Sequence, residues 1–156
     1  MDKAEVVQAF RERLHEELEA VQRMASLASA EATHTESKAE NKYDTRGLEA
    51  SYLAAGQARR VVELRRIAAF FDRLVVKPVD GPAGVGSLIE TEEDGVTRWL
   101  FLAPEGGGTH VDVGGVAVRL VTPSSPLGRE LVGAESGDEI EVEMPRLRRI
   151  ELLSVR

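Results

Sequence analysis

The sequence predicts an α+β chain, with an antiparallel helical hairpin of the coiled-coil type followed by a mostly antiparallel β-sheet domain carrying one short helix. Three observations carry this. All six prolines stand at Pro78 or later, and twelve of the fourteen glycines follow Pro78. Before that point apolar residues recur at helical spacing, and after it they alternate as strands do. The division places a helical arm at 1–77 and a second domain at 79–156, within the size range of one domain or two small ones.

In the first segment Val7, Phe10, Leu14, Val21, Met24 and Ala28 fall on one seam at spacings of three, four or seven. That is the a/d pattern of a coiled coil, broken only at Glu17, beside which Leu18 can fill the gap. Leu48 to Val75 repeats it through Val61, Leu64, Ala68, Phe71 and Val75. Thr33 to Gly47 is polar and is the expected connection at the tip of the hairpin. Thirty helical residues at about 1.5 Å each make an arm roughly 45 Å long.

After Pro78, short runs at Gly84–Glu90, Trp99–Ala103, Val116–Val121, Ile140–Met144 and Ile150–Val155 are bounded by Gly, Pro, Asp or Glu and read as strands. Ile140, Val142 and Met144 alternate with Glu139, Glu141 and Glu143, so one face is buried and the other is a row of carboxylates. Ser125, Pro126 and Gly133 supply an N-cap, a first-turn proline and a terminating glycine for a short helix at Leu127–Val132. Gly81–Gly86 and Gly106–Gly108 lack the Lys-Ser/Thr of a phosphate-binding loop and read as strand-connecting turns.

Composition excludes several chemistries. The formal charge is −7 and cysteine is absent, which removes disulfides, thiol nucleophiles and thiolate metal sites and suits a reducing cytoplasm. Acids and bases number 13 and 13 in residues 1–78, against 14 and 7 in residues 79–156, so the whole net charge lies in the second part. Bulk coating of nucleic acid does not fit such a chain. His15, His34 and His110 are far apart in sequence, and His110 has no triad partners beside it. No run approaches the roughly 20 apolar residues of a membrane span, and no signal peptide is expected.

Ser124 to Asp138, Ser-Ser-Pro-Leu-Gly-Arg-Glu-Leu-Val-Gly-Ala-Glu-Ser-Gly-Asp, with the alternating strand after it, resembles the C-terminal domain of the bacterial Gre transcript-cleavage factors. Tyr52-Leu53-Ala54-Ala55 resembles the Tyr-x-Ala-Ala of the second Gre helix, and Glu40-Asn41 the Glu-Asn pair of the Gre tip. The resemblance covers essentially the whole chain. It implies an FKBP-like second domain and a monomeric cytoplasmic factor that is no enzyme by itself. Such a factor docks at the rim of the secondary channel of RNA polymerase, inserts its coiled coil, and meets nascent RNA only inside that complex. It further implies a shared magnesium ion in the polymerase active site, held in part by acidic tip residues while the polymerase cuts its own backtracked RNA. Carboxylates suit that hard ion, and a paired metal site can activate water and stabilise the leaving oxygen.

The tip candidates are Glu36, Glu40, Asp44 and Glu49, with Glu40 and Asp44 as the expected magnesium contacts. The Gre pattern Asp-x-x-Glu-Asn, aligned on Glu40-Asn41, places Ser37 at the aspartate position; aligned on Tyr52, it places Thr45 and Leu48 at the acidic positions. Both registers stay open, as does a Gre-like channel occupant without cleavage. Partner-contact candidates are Ser125, Pro126, Leu127, Gly128, Gly133 and Asp138, with Arg59 and Arg66. Arg59, Arg66 and Arg73, seven apart, can meet an acidic channel or RNA phosphates; the preferred reading pairs the arginines of this helix with Glu12, Glu16, Glu17 and Glu19 across the seam. A peptidyl-prolyl isomerase is the enzyme-class alternative, weakened because only Trp99 and Phe101 among aromatics follow Phe71. A generic coiled-coil adaptor is the third.

Overall fold

Asp2 starts the first helix. Its carboxylate accepts from the backbone N–H of Ala4 at 2.6 Å and of Glu5 at 3.3 Å, satisfying donors that helix geometry leaves orphaned. The computed structural model, which describes residues 1–36, 46–78, 81–143 and 145–156, runs this helix, α1, over Lys3–Glu36 and a second, α2, over Arg46–Arg73. Helix therefore takes in Thr33–Glu36 and Arg46–Gly47, which the sequence assigned to the connection.

Six strands follow: β1 Leu88–Glu93, β2 Val96–Leu102, β3 His110–Val113, β4 Val116–Val121, β5 Glu139–Glu143 and β6 Leu147–Val155, with the short helix α3 at Pro126–Leu131. They form one sheet in the order β3-β4-β2-β1-β6-β5. Every pairing is antiparallel except β2 with β4. β3 is not among the runs that the sequence marks as strands; its His-Val-Asp-Val alternation is only four residues long and is flanked by glycine turns. β1 begins at Leu88 rather than at Gly84, because the chain from Gly84 to Ser87 is a turn with Gly86 at φ 95° and Ser87 N–H donating to the Gly84 carbonyl. Among the described residues no helix is long and apolar enough to cross a membrane.

The chain divides into two units, Met1–Glu12 with Phe70–Arg156, and Arg13–Ala69. The composition shift at Pro78 marks where helix-forming sequence ends. The boundary in packing lies further up the helices, because Phe10, Phe71 and Phe101 form one cluster with centroid separations of 5.0, 5.4 and 5.9 Å. All three rings are fully buried. Each such side chain contributes about 1.5–3 kcal/mol by burial, and favourable ring pairs add about 0.5–1.5 kcal/mol each. Arg11 ties the same unit together, donating to the Phe71 carbonyl at 2.9 Å and the Leu74 carbonyl at 3.2 Å, where α2 runs out of helical donors.

Strand alternation gives the sheet two faces. Leu88, Trp99, Phe101 and Val118 share the aromatic cluster's face. Ile89, Leu100, Leu102, Val121, Ile140, Val142, Ile150 and Leu152 share the other, where Leu131 and Ala134 close a second core and Leu127 packs against it. β5 shows the expected alternation, Ile140 and Val142 buried between exposed Glu139, Glu141 and Glu143.

In the second unit Leu14, Val61, Leu64, Ile67 and Ala68 are buried. Arg60 meets Glu17 across the two helices at 2.6 Å, which is a pairing of the kind the sequence predicts across the seam, and also meets Glu63 at 2.8 Å. The Glu17 carboxylate raises the Arg60 pKa. The seam is shorter than its heptads suggest. Met24 is 56% exposed, and Val75, which lies beyond α2 in the other unit, is 69% exposed. Leu53, which the Glu17–Arg60 pairing sets about opposite Met24, is itself 55% exposed.

Candidate functional site

The signature segment is built by its own short-range bonds. Ser125 caps α3, its Oγ accepting from Gly128 N–H at 3.0 Å and donating to the Thr122 carbonyl at 2.8 Å. The same carbonyl accepts from Ser125 N–H at 3.0 Å. Gly128 is required at its position: a Cβ there would lie 1.9 Å from the Thr122 carbonyl oxygen. Gly133, at φ 89°, turns the chain out of the helix and donates to the Ala83 carbonyl at 2.8 Å. Asp138 accepts from Glu135 N–H at 2.8 Å and so closes the turn into β5. Of the contact candidates here, Ser125, Gly128, Gly133 and Asp138 thus hold the loop together, while Pro126 and Leu127 keep part of their surface exposed.

α3 covers only part of its sheet face. The rest is an open concavity of about 1000 Å³ with Thr91, Leu100 and Ile150 in its floor and Arg98, Arg119, Arg146, Arg148 and His110 around it. Glu93 stands among them with its side chain 10% exposed, and it accepts from both Arg98 and Arg148. Those bonds, Arg148 first, hold the Glu93 carboxyl down to about 2. Sequence reasoning missed this surface. The signal was available in Arg148-x-Ile150-x-Leu152 and Arg98-x-Leu100-x-Leu102, where arginine occupies the inward-facing phase of a strand.

The remaining candidates lie on the arm. Glu36 is the last residue of α1, and Glu49 stands exposed in the first turn of α2, where a negative charge complements the helix dipole. Glu40 and Asp44 lie outside the described residues. Arg59 and Arg66 are exposed; it is their neighbour Arg60 that carries the pairing across the helices. Among the described residues no group of three or more His, Asp or Glu is placed to hold a metal ion.

Two solved structures resemble the chain at low identity. That of the transcription factor Gfh1 is 20% identical with a TM-score of 0.42, covering 95% of this chain and 94% of that one. GreA factor homolog 1 of Thermus thermophilus is 22% identical with a TM-score of 0.39, covering 94% of each. No family model matches. The transcription elongation factor GreA of Syntrophobacter fumaroxidans is 33% identical over 118 residues, 69% of this chain and 70% of its own length. With identity at that level over that share of both proteins, added to the signature loop and the helical arm, the chain belongs to the GreA family of transcription elongation factors.

Proposed function

We propose that the protein regulates transcript elongation by binding RNA polymerase, with its sheet unit docked at the rim of the secondary channel and its helical arm inserted toward the active site. The observation that carries this reading is the 33% identity to a protein named as a transcription elongation factor. The architecture is consistent with it. The arm unit contains residues 13–36 of α1, which at about 1.5 Å per residue is a rod roughly 36 Å long. A slender probe of that kind is what a narrow channel admits.

Cleavage of backtracked RNA is the second part of the proposal. The tip donor set, Glu40 and Asp44 flanked by Glu36 and Glu49, consists of hard oxygen ligands and fits magnesium shared with the polymerase. When bound, that ion would activate water and stabilise the leaving oxygen in phosphodiester hydrolysis. The chain's own residues would supply a carboxylate to that ion. Ser37, standing where the Gre pattern has aspartate, favours a second reading in which the protein occupies the channel and modulates elongation without cleavage.

One assay separates them. Purified protein is added to a stalled, backtracked elongation complex, and both RNA shortening and competition with an authentic Gre factor are measured. Shortening that disappears in Glu40→Ala/Asp44→Ala supports the cleavage reading. Competition without shortening supports the occupant, and absence of both refutes the proposal.

A further inference from the structure

The outer part of the helical arm carries apolar side chains that its two helices leave uncovered. On α1, helical spacing sets Glu17, Ala20, Met24 and Leu27 along one side. On α2 it does the same for Glu63, Arg60, Gly56, Leu53 and Tyr52. The Glu17–Arg60 ion pair at 2.6 Å brings the two lines onto the same side of the hairpin. Seven residues nearer the tip on each helix stand Met24 and Leu53, both more than half exposed, with Leu27 and Tyr52 flanking them at 67% and 71% exposed.

The inner end of this face is closed by charges that satisfy one another, Arg13 with Glu17 at 3.6 Å and Arg60 with Glu17 and Glu63. Between that network and the four large side chains lie Ala20 and Gly56, so the face is low and apolar there; a Cβ on Gly56 would meet nothing within 4 Å. Large side chains next to a shallow stretch make the face complementary to itself. A two-fold axis across the arm at the level of Met24 and Leu53 stacks α1 on α1 and α2 on α2, antiparallel. It sets Leu27 and Tyr52 of one copy over Ala20 and Gly56 of the other. It also brings exposed Glu49 of each copy to exposed Arg59 of the other.

Charge favours the same arrangement. Residues 13–69 carry nine acids and nine bases, while the rest of the chain carries 18 acids and 11 bases. Two arms therefore meet without net repulsion. In the antiparallel pair the two Arg13 positions, where each arm joins the acidic remainder of its chain, lie roughly 30 Å apart against a Debye length of about 8 Å. The covered surface comes to about 1,000 Å² over both copies, the lower bound for a specific interface and well short of an obligate one.

We infer that two copies of the chain pair reversibly and antiparallel through this face, forming a four-helix bundle from their arms. A paired arm is about twice as thick as a single one, so on the function proposed above only the monomer enters the channel and pairing stores the factor in an inactive form. The pairing itself does not depend on that function.

The test is sedimentation velocity of the full chain over a concentration series through the micromolar range, for wild type, Leu27→Glu/Tyr52→Glu and Val62→Glu as a control. Val62 is 50% exposed, and helical spacing turns it away from this face. Unchanged helical circular dichroism establishes that the variants fold. Wild type is expected to pass from monomer to dimer, the double variant to associate about tenfold or more weakly, and the control to stay within about twofold of wild type. Single cysteines, in a chain with none of its own, report the orientation: Met24→Cys is expected to join two copies through a short bis-maleimide and Arg13→Cys is not. Wild type that stays monomeric, equal loss in the control, or no loss in the double variant overturns the inference, and cross-linking at Arg13 or its failure at Met24 overturns the antiparallel arrangement. Binding to RNA polymerase is measured alongside by fluorescence anisotropy. Monomeric wild type whose polymerase binding is lost in the double variant replaces the second copy with the polymerase as occupant. Wild type that pairs but ignores polymerase removes the function proposed above and leaves the pair standing.

Discussion

Gly128→Ala tests whether the signature glycine is there for helix chemistry or for space. Gly128 is the third residue of α3, where alanine is ordinarily better than glycine by about 1 kcal/mol. Propensity alone therefore predicts stabilisation. The geometry predicts the opposite. A Cβ at 1.9 Å from the Thr122 oxygen must recede to at least 3.4 Å for ordinary contact, a shift of 3.4 − 1.9 = 1.5 Å. Its other close neighbours are the Thr122 carbonyl carbon at 2.7 Å and Ser125 Oγ at 3.0 Å, so the way out is through backbone and cap.

That shift breaks both bonds the Thr122 carbonyl accepts, from Ser125 N–H and Ser125 Oγ, at about 1 kcal/mol each. It also withdraws the Ser125 cap, worth about 1 kcal/mol. Setting the propensity gain against these leaves a loss of about 2 kcal/mol, rising to about 4 kcal/mol if residual overpacking is added. Urea unfolding followed by the fluorescence of Trp99, the single tryptophan and a member of the sheet unit, reads the change directly. A Gly128→Ala protein as stable as wild type, or more stable, would refute the steric argument.

Gly56→Ala is the converse case: Gly56 is in α2 and a Cβ added there would meet nothing within 4 Å, so the arm should gain about 0.5–1 kcal/mol, read as a higher melting midpoint of helical circular dichroism. Phe71→Ala removes a fully buried ring that touches Phe10, Phe70 and Phe101, and should cost the sheet unit about 3–5 kcal/mol in the same urea assay. Glu93 has a folded pKa of about 2 against an ordinary 4.5, so its contribution is present above 4.5 and is lost as pH falls toward 2. Glu93→Gln should flatten the pH dependence of unfolding in that window and lower stability at neutral pH by about 1–2 kcal/mol, checked by urea titrations at a series of pH values.

What was legible in the sequence was whatever local chemistry decides. The cap at Ser125, the proline after it, the stop at Gly133 and the Glu-Ile-Glu-Val-Glu alternation each act within a few residues, and each appears where local chemistry puts it. What failed to show depends on partners distant in sequence. Met24 sits at a seam position, but whether it is covered depends on the other helix, where Tyr52 and Leu53 are themselves exposed. Arg98 and Arg148 meet at Glu93 only because β1 lies between β2 and β6, a consequence of strand order that no periodicity records. β3 escaped notice because four residues between glycine turns give too short an alternation to separate from a loop.

The signature loop and the tip carry different kinds of information. Ser125, Gly128, Gly133 and Asp138 are occupied by internal bonds or by steric necessity, so a chain must keep them to close this sheet domain whatever it does next. Their presence identifies the fold and the family, and is indifferent to cleavage. A protein surface contacting this end of the domain would find the half-buried Pro126 and Leu127 together with exposed Ser124, Arg129, Glu130, Val132 and Glu135. The cleavage proposed above draws instead on arm residues such as Glu36 and Glu49, which belong to the other unit.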